Sequence, residues 1–378
     1  MNSTVKAIIW LAAVLIVLVA AYYFIGRPTE GEVIKVGFIG PLTGDAASYG
    51  EPERNVVQLA IEEINGAGGV KGKKLEVIYE DGKCNGKDAA NAMQKLVSVD
   101  KVKVVLGGFC SSESLAAVPI AQENKVFLLS LGSSSPDLTG ISTFFARTYP
   151  SDASQGAVLA EVAFNQKKWK TVAFVQEQLD YPLGIYKAFS ANFEKLGGKV
   201  FKEEFPEGTT DFRSVLTKLR AAKPDAVFVD TQTPAAAERV LKQIKDLKWR
   251  PMLLISDAVS GHKETVEKNA DLLEGALAAE FGVDPTNPKF DQLAKAYQVK
   301  HNTELPFQSY SQTEYDGVYM VKDAIEAVGY DAEKIAEWFR TVKDWSGASG
   351  LVTIGDDGDR DGGHVPKIIV KGKVEKLQ

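Results

Sequence analysis

The residues with chemistry to offer sit in two hydroxyl-rich stretches. Val104-Val105-Leu106 runs into Gly107-Gly108-Phe109-Cys110-Ser111-Ser112-Glu113-Ser114, and Leu128-Leu129-Ser130 runs into Gly132-Ser133-Ser134-Ser135-Pro136. A short apolar run followed by small, polar residues is the pattern of a buried strand that ends in a loop. A helix starting near Ser112 would present unpaired amide donors and a partial positive charge to the first loop, and Ser111 adds a hydroxyl. That combination suits a carboxylate, although serines at such positions also cap helices and bind nothing. Asp257 supplies the opposite charge at the end of the apolar run Met252-Leu253-Leu254-Ile255-Ser256. It either caps the following turn or pairs with a positive group such as an ammonium.

Other chemistries find little material. His262, His301 and His364 are the three histidines, far apart in sequence, which disfavours a histidine-based metal site or a Ser/His/Asp triad. No paired acid and base can be assembled from spacing, so neither an enzyme nor a cofactor is expected. With 44 basic and 50 acidic residues the net charge is -6, and no basic stripe offers a footprint for nucleic acid. Gly66, Gly68, Gly69 and Gly72 lack the spacing of a dinucleotide fingerprint and read as a helix-ending turn. The run Asp357 to Gly362 matches half a calcium loop, but Ile368 occupies the position of the closing Glu, so it reads as a solvated turn between strands.

The elements around these residues follow from periodicity. Strand-like runs at Lys35–Ile39, Leu75–Tyr79, Val102–Leu106, Val126–Ser130, Thr171–Val175, Val200–Phe205, Ala226–Val229, Met252–Ile255 and Ala276–Ala279 alternate with segments of helical spacing. Such alternation predicts an α/β fold with helices on both faces of parallel sheets, which place ligands at strand ends. After residue 285 the pattern turns helical and ends in a strand pair, Gly350–Ile354 and Lys367–Val370. The length of 378 residues, with 45% apolar and 25% charged, fits two globular lobes.

Ahead of them, the uncharged run Ala7–Gly26 is long enough to span a bilayer. It is read as an N-terminal membrane anchor, with signal cleavage near Ala20-Ala21 as the alternative, and its flanking charges place the body outside the cytoplasm. In an oxidising compartment Cys84 and Cys110, the only cysteines, read as a disulfide rather than two buried thiols.

Ile34 to Gly44 with Tyr49-Gly50, the helix-turn-strand stretch Glu63 to Leu75, Asp81 with Cys84, and Gly107 to Ser112 together resemble one family. It is the leucine/isoleucine/valine-binding family of type I periplasmic binding proteins, the extracytoplasmic solute-binding components of ABC transporters. The resemblance implies two Rossmann-like lobes joined by three hinge crossings, near Arg147–Pro150, Ala278–Glu280 and Val365–Lys367. The N-terminal segment would occupy residues 1–31, lobe one 32–148 and 280–365, and lobe two 149–279 and 366–378. It further implies that Ser111 and Ser134 hold the α-carboxylate of an amino acid, that the Ser133 carbonyl takes its ammonium, and that Asp257 stands where a Glu pairs with that ammonium. Tyr49, Phe109, Tyr181 and Tyr310 would form apolar walls, and Cys84–Cys110 the family's disulfide. Gln232 stands where an aromatic is typical, and Asp257 is one methylene shorter than Glu, which opens the site to a polar or larger amino acid, an amide or a urea-like solute. The implied function is capture of a small solute by hinge closure and delivery to an ABC permease, with a ligand-sensing receptor as the alternative.

Overall fold

Runs of β-branched and aromatic residues form strands here because helices cover both of their faces. The computed structural model describes residues 33–377, and the expected anchor Ala7–Gly26 lies outside them. Among the described residues no helix is long and apolar enough to cross a membrane. The first sheet contains β1 (Ile34–Gly40), β2 (Leu75–Asp81), β3 (Val104–Gly107), β4 (Phe127–Ser130) and β5 (Phe145–Arg147) in the order β2-β1-β3-β4-β5, all parallel. Helices α1 (Ala47–Gly66), α2 (Gly86–Ser98) and α3 (Ser111–Glu123) connect these strands.

The second sheet is built from β6 (Thr171–Glu177), β7 (Lys199–Phe205), β8 (Ala226–Asp230), β9 (Met252–Ile255) and β10 (Leu277–Phe281). Its connections carry α4 (Asp152–Glu161), α5 (Asp180–Lys195), α6 (Arg213–Ala221), α7 (Pro234–Asp246) and the short helices α8 (Asp257–Ser260), α9 (Lys263–Lys268) and α10 (Ala270–Leu273). The chain then returns through α11 (Pro288–His301), α12 (Gln308–Val328) and α13 (Ala332–Thr341), which close one face of the first sheet. A hairpin of β11 (Trp345–Gly347) and β12 (Gly350–Val352) precedes β13 (His364–Val370) and β14 (Lys373–Lys376), which extend the second sheet to the order β14-β13-β10-β9-β8-β6-β7.

The C-terminal pairing differs from the sequence expectation. Gly350–Val352 pairs with β11, whereas His364–Val370 runs antiparallel to β10, so the two expected partners lie in different sheets. The lobe boundaries expected at 279/280 and 365/366 fall inside β10 and β13, because Glu280 pairs with Val365 and Phe281 with His364 in the second sheet. The glycine cluster is a helix-ending turn as expected: Gly69 has φ +74, and a Cβ there would stand 2.1 Å from the Lys73 carbonyl oxygen.

The chain passes between the sheets after β5, after β10 and before β13, and two buried arginines stitch these passages together. Arg147, fully buried, makes a bidentate pair with Asp359 at 2.7 Å for both contacts and donates to the Ser135 carbonyl at 2.9 Å. Arg360 donates to the Thr148 carbonyl at 3.2 Å and lies 4.5 Å over the Phe281 ring. Asp359 is therefore more than a residue of a solvated turn. A guanidinium left in the interior without its carboxylate is strongly destabilising. Asp359→Ala is expected to lower unfolding free energy by roughly 3 kcal/mol, whereas Glu333→Ala, which breaks the exposed pair with Lys125, changes it by less than about 1 kcal/mol; urea titration of both variants checks this.

Candidate functional site

The C-terminal ends of β3 and β4 meet the second sheet's strand ends across a narrow pocket. Tyr49, Phe109, Ser111, Ser133, Ser134 and Tyr310 line it from the first lobe, and Tyr181 and Gln232 from the second. The structure thus brings together eight of the nine ligand residues expected from sequence. Asp257 lies immediately behind them. Cys110, Gly132 and Ala258 complete the wall. Cys110 and Cys84 form the expected disulfide, with Cα atoms 5.2 Å apart.

Helix α3 starts at Ser111, one residue earlier than expected, and its first amides have no partner within the helix. Ser111 Oγ accepts from the Ser135 amide at 3.1 Å, which leaves its own hydrogen to donate. Ser134 behaves differently. Its hydroxyl donates to Asp152 Oδ2 at 2.6 Å while its carbonyl accepts from the Asp152 amide at 2.8 Å, so it clasps the start of α4. The Ser133 hydroxyl is absorbed in a buried network with Ser130 and, at 2.8 Å, Ser114. Ser130 and Ser114 in turn donate to the Gly108 carbonyl at 2.9 and 3.0 Å, tying the two serine loops into one unit. A Cβ at Gly132 would lie 2.5 Å from the Phe109 ring, so glycine is what allows that ring to reach the cavity.

The aromatic walls form a continuous stack. Tyr49 packs on Phe109 with centroids 5.2 Å apart, Phe109 on Tyr310 at 5.2 Å, and Tyr310 on Tyr149 at 4.3 Å. Three of these tyrosines are more than walls. Tyr149, Tyr181 and Tyr310 donate to the Asp257 carboxylate at 2.6, 2.5 and 2.8 Å, and the Ala258 amide adds a fourth donor at 3.1 Å. Asp257 is 1% exposed. Burial and the Asp257 charge both push these phenols well above their ordinary range, so they remain protonated donors. Gln232 holds its Nε2 3.7 Å from Cys110 Sγ, while its Oε1 is buried without a partner.

Sequence reasoning missed Tyr149 and Asp152. Both lie just beyond β5 in the first crossing, and neither sits in a motif that marks it. Burial, and then the charge of Asp257, push the Asp152 carboxyl well up, and burial holds His364 down at about 4, so its ring is neutral.

Residues 33–365 match the family model described as periplasmic binding protein. The chain belongs to the periplasmic binding protein family. An "amino acid binding protein" of Pseudomonas aeruginosa is 30% identical over 313 residues, covering 82% of each chain. A leucine-, isoleucine-, valine-, threonine- and alanine-binding protein of the same organism is 30% identical over 321 residues, covering 84% of each. Among solved structures, a leucine-binding protein from Thermotoga maritima superposes with a TM-score of 0.84 at 29% identity, covering 91% of this chain and 98% of that one. A branched-chain amino acid transporter substrate-binding protein from Streptococcus pneumoniae, in complex with isoleucine, gives 0.81 at 27% identity with the same coverage.

The loop that leads into Ser111 is braced by a buried acid. Glu113 accepts from the Cys84 and Cys110 amides at 3.0 Å each, bracing the disulfide behind Ser111. Burial raises its carboxyl from 4.5 to about 7. Between those values the folded protein holds a proton that the unfolded chain has lost, so stability falls as pH rises through that window. Glu113→Gln, with no proton to lose, is expected to flatten this part of the profile whatever its absolute stability; chemical denaturation at pH 5 and pH 7 measures the slope.

Proposed function

We propose that the protein captures a free amino acid in the cleft between its lobes and presents the closed complex to an ABC permease outside the cytoplasm. The observation that carries this reading is one of opposed charge. Amide and hydroxyl donors at the start of α3 face, across the pocket, a buried carboxylate that accepts from three tyrosine hydroxyls. The α-carboxylate lies against Ser111 and the loop amides. At position 134 it meets the main-chain amide, because the side chain serves Asp152. The ammonium donates to the hydroxyl oxygens of Tyr181 and Tyr310, which pass the Asp257 charge forward. Hinge closure follows because the two ends of the ligand contact different lobes.

Gln232 tunes the side-chain end. Its unpartnered Oε1 favours a ligand that carries a hydrogen-bond donor, since a buried acceptor left unmet is costly. The Pseudomonas aeruginosa relative named for both aliphatic amino acids and threonine supports a site of this kind.

Two outcomes test the reading. Asp257→Asn keeps the shape but removes the charge, and is expected to weaken amino-acid binding roughly ten- to hundredfold, the effect of losing about 1.5–3 kcal/mol. Calorimetry that finds wild-type affinity would refute the assignment. Threonine and valine share a shape but differ by one hydroxyl. Gln232→Leu is therefore expected to lower the threonine-to-valine affinity ratio about tenfold, as measured by competition calorimetry.

A further inference from the structure

The narrow pocket has a larger neighbour. A cavity of about 610 Å³ lies beside it, lined by Ser260, His262, Glu280 and Lys367 from the second lobe and by Leu305 and Phe307 from the first. The two spaces share no lining residue, yet the same elements bound both. On α8, Ala258 lines the pocket and Ser260 the cavity, and in the first turn of α12 Tyr310 and Ser309 divide in the same way. Between these edges the wall is two rings thick, with Tyr49 on the pocket side and Phe307 on the cavity side, their centroids 4.8 Å apart.

The two rings are held differently. The Tyr49 hydroxyl lies 3.1 Å from the Ala258 carbonyl oxygen and 3.3 Å from that of Gln232, so hydrogen bonding ties its far end. Phe307 has only packing, against Tyr49 and, at 5.4 Å, against the His262 ring. It is buried, and a Cβ at Gly261 would stand 3.4 Å from its ring. Its backbone is left-handed, with φ +41, a conformation that glycine adopts freely and a bulky residue rarely occupies. The local turn therefore gives no reason for phenylalanine. Its carbonyl accepts from the Tyr310 and Ser311 amides at 2.8 and 2.9 Å, which fixes the point from which the ring emerges. The reason for the ring lies in what it backs.

We propose that Phe307 sets the longest side chain the pocket admits, by holding Tyr49 in place against the cavity. The inference rests on the amino-acid reading of the pocket, in which Tyr49 is a wall for the ligand's side chain. A side chain that reaches past this wall must drive the Tyr49 ring toward Phe307, and close-packed rings have no slack to give. Without the Phe307 ring, Tyr49 yields into the cavity and the pocket deepens. The protein thus favours amino acids with short side chains, such as valine, over long ones such as phenylalanine. Phe307 is a positioning residue, since it acts on the ligand only through Tyr49.

The test is calorimetry of the full chain with valine and with phenylalanine. Wild type is expected to bind valine at least about tenfold more tightly. Phe307→Gly keeps the left-handed turn and removes the ring, and is expected to narrow that ratio about tenfold through a gain in phenylalanine affinity. A packing defect alone would weaken both ligands together. An unchanged ratio, or one narrowed only by loss of valine, overturns the proposal, as does a wild type that binds both equally. Thermal melting establishes that the variant is folded. If it is not, Phe307→Leu, which keeps apolar bulk at the site, decides: a gain in phenylalanine affinity supports the proposal, and none refutes it. A wild type that binds neither amino acid refutes the reading on which the inference rests, whereas binding with an unchanged ratio refutes this inference alone.

Discussion

A carboxylate removed from water has to be solvated by the protein, and the arrangement of the cleft follows from how Asp257 meets that need. Its donors come from three places: Tyr149 in the first crossing, Tyr181 on α5 of the second lobe, and Tyr310 on α12 of the first. An isolated charge in the interior would cost several kcal/mol or more, whereas one accepting several good hydrogen bonds is tolerated. The hydrogen bond from Tyr310 to Asp257 is therefore a contact made across the cleft. In the proposed reading, parting the lobes removes Tyr310, so the solvation of the charge and the closure are linked.

In the proposed reading the crossings confine the motion of the lobes. Arg147 locks the chain leaving β5 to Asp359 before β13, and Arg360 ties the same passages through Thr148 and the Phe281 ring. With the passages fixed to one another, rotation is left to the few residues between Thr148 and α4 and to their counterparts in the other two passages. Ser134, through its contacts with Asp152, joins the loop after β4 to the first turn of α4. The serine assigned to the ligand from sequence is, by its side chain, a contact between lobes.

The alternation of apolar runs and helical spacing revealed the parallel sheets, and the serine loops and Asp257 were legible because each follows a strand. What the sequence hid has a common cause. β5, β11 and β14 are three or four residues long and lack the unbroken apolar run that marks β3, β4 and β9, which are equally short. The partner of β13 depends on a connection that returns from the other lobe, which local pattern cannot encode. Tyr181 and Tyr310 read as apolar walls, because a tyrosine's ring is evident from its type while the target of its hydroxyl is set only by tertiary structure. Asp152 and His364 were invisible for the same reason.

The use of tyrosine rather than lysine or arginine around Asp257 has a functional consequence. A cation in contact would solvate the acid equally well but would also cancel its charge, leaving nothing for an incoming amine. Phenol dipoles orient toward the carboxylate and leave the net negative charge in place, and each oxygen keeps lone pairs for a further donor. This also accounts for the shorter acid. In the proposed reading Asp257 sits one layer back from the ligand, and the hydroxyls of Tyr181 and Tyr310 span the distance that a longer side chain would otherwise cover. The charge is then felt by the amine through two phenol rings with two rotatable angles apiece, of which Tyr310 is stacked on Tyr149. The ligand's approach to the charge is set by aromatic packing, so a change in the stack at Phe109 or Tyr149 acts on amine recognition without touching the acid itself.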